Sequence, residues 1–211
     1  MANKNHLLDD QIISSAMKEF MAKGYEKASL RTIAAHADVT VGAIYTRYPT
    51  KDALFCSLVQ PLISRIEDAF CKIKTEYYEN RPAASFWNPA ESLEMESTGI
   101  LHLLFDEYDR AVLLLCKSAG SSLEHFFDLL VQRKIEETLI FFESSNLKHP
   151  DASVLKLLIT AQFHMYFQII NEGYRLEEAK EIMHSVMTYH TGGWLSLLRS
   201  CQEDHEQEES L

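Results

Sequence analysis

The chain has 211 residues, of which 46% are hydrophobic and 24% charged, the composition of a folded protein and not of a disordered one. Seven glycines and five prolines are too few for a collagen-like, low-complexity or many-turned all-β chain, and the length suits one sizeable domain or two small ones. A formal net charge of −11 stands, on its face, against binding to nucleic acid, whose phosphates attract basic surfaces.

Cys56, Cys71, Cys116 and Cys201 form no C-x-x-C pair, so they read as thiols of a reducing compartment and not as a disulfide framework or a zinc site. No H-x-x-x-H pair is present, and neither a metal nor another cofactor is expected. The opening residues lack the apolar stretch of a signal peptide. The nearest apolar run, 111–116, falls far short of the roughly 20 residues that a membrane span needs. The expected location is the cytoplasm.

In chain order, Ile12, Ile13, Ala16, Met17, Phe20 and Met21 recur at helical spacing and predict an amphipathic helix over residues 9–23, with Gln11, Ser14, Lys18, Glu19 and Lys23 on its outer face. Gly24 follows as its C-terminal stop. Ser29 offers an N-cap to a short helix reaching about residue 37, with Leu30, Ile33, Ala34 and Ala37 inward. A turn at 37–39 leads to Thr40, the cap of a helix over 41–47 that is barely two turns long and unable to stand alone. Pro49 stops it and Thr50 starts a fourth helix over 51–78, in which Pro61 predicts a kink near residues 56–58 or a break.

Two short helices joined by a tight turn are the shape of a helix-turn-helix DNA reader. Ile33, Ala34, Val39 and Ile44 are the inward positions, while Thr40, Val41, Ala43, Thr46 and Arg47 are small or polar and point outward, which lets the second helix sit deep in a major groove. Gly42 costs so short a helix about 1 kcal/mol against alanine, and close approach of backbone to phosphate would explain it.

Residues 12–54 resemble the N-terminal domain of the tetracycline-repressor (TetR) family of transcriptional regulators. The resemblance rests on Ile12-Ile13, Ala16, Phe20 and Gly24-Tyr25, on Ser29-Leu30-Arg31-Thr32-Ile33-Ala34 with Ala37, and on 39–45 followed by Tyr48 and Lys51-Asp52-Ala53-Leu54. Asp38 departs from the glycine common in the turn, and Tyr48-Pro49 from the more usual phenylalanine. The resemblance implies base-edge contacts from Thr40, Val41, Ala43 and Thr46. It implies phosphate contacts from Ser29 or Thr32, from Tyr45 and from Lys51, and either role for Arg31 and Arg47; Gly42 joins this DNA-facing set through its close approach, and Tyr48 is core packing or a DNA contact.

Beyond an irregular stretch at 80–88, helical runs are predicted over 90–108, 109–118, 122–144, 152–171 and 176–198, with a loop at 145–151. The whole is expected to be all-α, about nine helices. Residues 1–55 form the DNA-binding domain, 56–200 a helical effector-binding and dimerisation domain, and 201–211 an acidic, disordered tail. Candidate effector contacts are Phe86, Trp87, His102, Phe105, Tyr108, His125, Phe126, Phe163 and Phe167, a set suited to a flat or cationic hydrophobic molecule. The resemblance implies a dimer interface on the last two helices, with Leu155, Ile159, Gln162, Tyr166, Val186, His190 and Trp194 as its candidates and Gly192-Gly193 allowing close helix approach.

The expected function is that of a homodimeric repressor that binds a palindromic operator and is released by a small hydrophobic or aromatic effector. No catalytic motif is visible, so no enzymatic activity is expected. The alternatives are an all-helical enzyme or an interaction module that has lost DNA binding. The charge objection weakens on counting: residues 1–55 hold seven cations against six anions, net +1, and the rest of the chain carries −12.

Overall fold

The computed structural model describes residues 2–75, 89–144 and 148–209. Among the described residues every regular element is an α-helix: α1 Ala2–Lys27, α2 Leu30–His36, α3 Val41–Arg47, α4 Lys51–Lys74, α5 Pro89–Asp106, α6 Tyr108–Cys116, α7 Phe126–Ser144, α8 Ala152–Glu172 and α9 Leu176–Glu209. They form two compact units. Unit one comprises Met1–Arg65 with Asp106–Phe127, and unit two comprises Ile66–Phe105 with Asp128–Leu211.

In unit one the predicted stripe of α1 is the core: Ile12, Ala16 and Phe20 are wholly shielded, together with Ile33, Ile44, Leu54 and Phe55. Glu19 departs from the expected outer face and is 5% exposed. It is buried because the chain turns back over it at Gly24, whose φ of 72° is the left-handed value that glycine adopts without strain. Its carboxylate accepts from Lys23 Nζ at 2.9 Å and from the Ser29 backbone N–H at 3.1 Å. Burial alone would push this carboxyl up, and those bonds bring it below its ordinary value.

Phe20, Tyr25 and Phe55 meet as a ring cluster with centroids 5.1–6.1 Å apart. Lys51 closes the cluster. Its ammonium lies 4.5 Å from the Tyr25 ring centroid and donates to the carbonyls of Tyr25, Glu26 and Ala28 at 2.8, 3.1 and 3.3 Å.

Pro61 lies inside α4 without breaking it. A helical proline leaves the carbonyl four residues before it, here that of Ser57, without its backbone donor; Arg110 Nε donates to the next carbonyl, Leu58 O, at 2.8 Å. Helix α7 begins at Phe126 and not at residue 122, although the Ser121 hydroxyl oxygen accepts from the Leu123 N–H at 3.1 Å and Glu124 from the Gly120 N–H at 3.1 Å. The Ser121 hydroxyl donates to Ser118 O at 2.6 Å, while the backbone N–H and hydroxyl of Ser122 reach the Asp52 carboxylate at 2.9 and 2.7 Å.

In unit two, Phe70, Leu101, Phe142, Leu155, Phe163, Ile170, Met183 and Trp194 are among the buried side chains. Asp151 caps α8, accepting from the Ser153 N–H at 2.8 Å. Helix α9 runs to Glu209, past residue 198 and through much of the segment expected to be a disordered tail. Glutamate and glutamine are good helix formers, and no glycine or proline interrupts them there.

The candidate dimer residues Leu155, Ile159, Gln162, Tyr166 and Trp194 lie in this packing. All are at most 8% exposed within the single chain, because they face the unit's own core. Val186 and His190 are half-buried, and burial pushes the His190 imidazole down.

The Asp52 bonds to Ser122 make a pH-dependent lock. Burial pushes the carboxyl up, but bonds from Ser122, Cys56 and Tyr25 hold it below the ordinary carboxylate value. A depressed folded-state value means that stability is present above the ordinary value and is lost as pH falls through the folded one. Asp52→Asn should therefore lower the urea midpoint at neutral pH, and the gap from wild type should close in strongly acidic buffer; a gap independent of pH would count against the lock.

Candidate functional site

The turn between α2 and α3 is built by its backbone. The Ala37 N–H donates to Ile33 O at 3.0 Å, and that of Val39 to Ala34 O at 2.9 Å. Asp38 between them takes φ 51°, so the departure from glycine leaves the turn intact. Thr40 caps α3 as expected, its hydroxyl oxygen accepting from the Ala43 N–H at 3.1 Å. Ser29 has the extended backbone of an N-cap, but its hydroxyl makes no cap bond.

Helix α3 buries one residue, Ile44. Thr40, Gly42, Tyr45 and Thr46 are exposed, Tyr45 to 51%, and Val41 and Ala43 are partly so. The Thr46 hydroxyl donates to Gly42 O at 2.9 Å, leaving its oxygen and methyl to face outward. A Cβ built on Gly42 would meet nothing nearer than Thr40 Oγ1 at 3.7 Å, an ordinary contact, so the packing of the chain itself has no need of glycine there.

The cations divide in a way that spacing could not show. Arg47 pairs with Asp9 on α1 and donates to Ala43 O at 3.4 Å. Lys51 is committed to its three carbonyls. Arg31 is exposed and Thr32 partly so, whereas Tyr48 is half-buried as the C-cap of α3, its N–H donating to Ile44 O at 2.8 Å. Asp9 was the signal missed. It lies 38 positions before Arg47, and no helical periodicity joins the two.

The candidate effector residues are dispersed. Tyr108, His125 and Phe126 belong to unit one. Phe86 and Trp87 lie outside the described residues. In unit two, Phe163 is buried, stacked on Phe70 at 6.2 Å and edge-on to Tyr166 at 6.1 Å, and Phe167 packs edge-on to His164. Phe105 is partly exposed. His102 lines a cavity of about 410 Å³ in unit two, with Ser97, Leu101, Met183, His184 and Met187 among its other walls. Among the described residues no group of three or more His, Cys, Asp or Glu side chains is placed to hold a metal ion. No helix there is long and apolar enough to cross a membrane.

Residues 12–58 match the family described as bacterial regulatory proteins, tetR family. The matched segment of unit one is similar to a TetR-type N-terminal domain. An uncharacterized HTH-type transcriptional regulator of Bacillus subtilis, YuxN, is 34% identical over 65 residues, 31% of this chain and 22% of that protein's length. Solved structures of similar fold include a TetR-like transcriptional regulator from Rhodococcus sp. RHA1, with TM-score 0.61, 19% identity and coverage of 88% of this chain and 96% of that one. The Bacillus subtilis regulator FadR, solved with stearoyl-CoA, gives TM-score 0.60 at 19% identity, covering 87% and 97%. NalD of Pseudomonas aeruginosa, the secondary repressor of a multidrug efflux pump, gives 0.57 at 19%, covering 90% and 98%.

Within the TetR-type domain, Gly42 separates folding from function. Gly42→Ala should raise stability by up to about 1 kcal/mol through helix propensity and weaken DNA binding about tenfold or more by holding the helix off a phosphate. Thermal melting and mobility shift on one preparation read both effects. Unchanged affinity would remove the close-approach account.

Proposed function

We propose that this protein is a homodimeric, ligand-responsive transcriptional repressor whose two α3 helices enter successive major grooves of a palindromic operator. The observation that carries it is the outward face of α3, which is exposed, small and polar around a glycine that the fold itself does not require. Thr40, Val41, Ala43 and Thr46 then read base edges, and Tyr45, Ser29, Thr32 and Arg31 engage the backbone. Arg47 and Lys51 act as positioning residues, since their donors serve the domain itself. Unit two takes the effector, a role supported by the likeness in fold to a regulator solved with stearoyl-CoA.

The dimer forms through the outward faces of α8 and α9. Leu157 is 71% and Tyr189 78% exposed, and a Cβ on Gly192 or Gly193 would find open space. Exposed apolar side chains around helical glycines favour the close approach of a second helix pair, and a C2 pair matches a palindrome. An effector releases the operator only by the difference in its affinity for the two dimer geometries.

The central test is a mobility shift of the full chain on the DNA flanking its own coding region. A folded dimer that leaves that DNA unshifted at low salt would overturn the reading. Arg31→Ala should weaken binding to every sequence and flatten the salt dependence by about one unit of slope. Lys51→Met should instead lower the melting temperature and leave the salt slope unchanged. Leu157→Glu should yield a monomer of unchanged helicity in analytical ultracentrifugation and abolish the operator shift; a dimer that persists would move the interface elsewhere.

A further inference from the structure

The cavity of about 410 Å³ in unit two is lined from α5 and α9, and its size is that of a small-molecule site. Its walls divide by chemistry. Leu101 of α5 and Met183 and Met187 of α9 are 2%, 3% and 5% exposed and make an apolar floor. His102 of α5 and His184 of α9 line the same cavity and are exposed, and Lys180 of α9 is half-buried, so these three side chains make its rim. The helical period produces the division: Lys180 and His184 are one turn apart on α9, and Met183 and Met187 are one turn apart on the strip beside them.

Each part restricts what fits. A floor of one leucine and two thioether side chains gains by covering an aliphatic chain, and methionine adapts its shape to such a body. At the rim, every ionisable side chain among the described walls is basic. The Lys180 ammonium has three protons to donate, and one goes to Glu177 Oε1 at 2.8 Å. Glu177 is 80% exposed, and an ion pair so open to water contributes little, so the ammonium turns to a ligand at small cost. An imidazole donates an N–H in either protonation state. Donors from three side chains at the mouth of an apolar floor match a head group that only accepts, and a carboxylate does so through two oxygens. A cationic head group would meet Lys180 instead. The unit around the cavity carries the whole net charge of −11, so an anion is repelled by its surface at large and drawn only where basic groups gather.

We infer that this cavity binds an amphipathic carboxylate, with its aliphatic chain on Leu101, Met183 and Met187 and its head at Lys180, His102 and His184, and that this anion is the effector. The inference rests on the reading of unit two as the effector unit, and it takes the place of the flat or cationic molecule that the aromatic candidates in the sequence suit.

Octanoate, with octanol, octylamine and acetate as counterparts, tests this on the full chain by calorimetry. Octanoate should bind, octanol and octylamine about fivefold more weakly or worse, and acetate, which lacks the chain, not measurably. Lys180→Met keeps the apolar stem of the lysine and removes its charge. It should weaken octanoate by about fivefold without weakening octanol, and leave the melting temperature of the unliganded chain unchanged. Lys180→Arg should retain octanoate affinity. Octanoate at saturating concentration should also release the operator in a mobility shift. Four results would overturn the site: no binding of octanoate, equal binding of octanol or octylamine, undiminished octanoate affinity in Lys180→Met, or a Lys180→Met chain that melts well below wild type. Octanoate binding that depends on Lys180 yet leaves the operator shift unchanged would keep the site and remove the effector reading.

Discussion

Helix α3 is seven residues long and is held in unit one by a single wholly buried side chain, Ile44. A helix of that length does not persist in water, so its geometry is set by its surroundings. Burial of one isoleucine is worth roughly 1.5–3 kcal/mol, and the Thr40 cap adds about 1 kcal/mol. The remainder of unit one supplies rigidity. Phe20 and Phe55 form the floor beneath Tyr25, Lys51 draws three carbonyls at the end of α1 toward the start of α4, and Arg47 ties α3 back to Asp9. Residues that resemble DNA contacts by position are thus the braces that leave Thr40, Gly42, Tyr45 and Thr46 outward.

What was legible in the sequence follows the range of the forces involved. Periodicity and capping act within a few residues, so the stripe of α1, the Thr40 cap, the Asp38 turn and the limits of α8 all follow from local pattern. The roles of Glu19, Arg47 and Lys51 were not legible, because each depends on partners brought near only by the turn of the chain at Gly24 and by the packing of α3 and α4 on α1.

In unit two the ambiguity of pattern has one cause. The apolar stripe of α8 is broad, and pattern alone does not say which part faces the unit's core and which faces outward. Leu155, Ile159, Gln162 and Tyr166 took the interior, while Leu157, only two positions from Leu155, is 71% exposed. Gln162 and Tyr166 are the polar residues on that otherwise apolar buried face.

Charge closes the account of unit one. Taken as it folds, residues 1–65 with 106–127, the unit carries ten cations and ten anions, and the whole net charge of −11 belongs to unit two. Several of the ten cations are further withdrawn, Lys23 to Glu19, Arg47 to Asp9, Lys51 to carbonyls, Arg65 to Asp106 and Arg110 to Glu107. A DNA reader so built gains little from counterion release, which scales with the number of phosphates that its cations neutralise. In the proposed reading the affinity comes from hydroxyls, a phenol and base-edge contacts that act only in register, and a second copy at fixed spacing supplies what a single copy with so few phosphate contacts lacks.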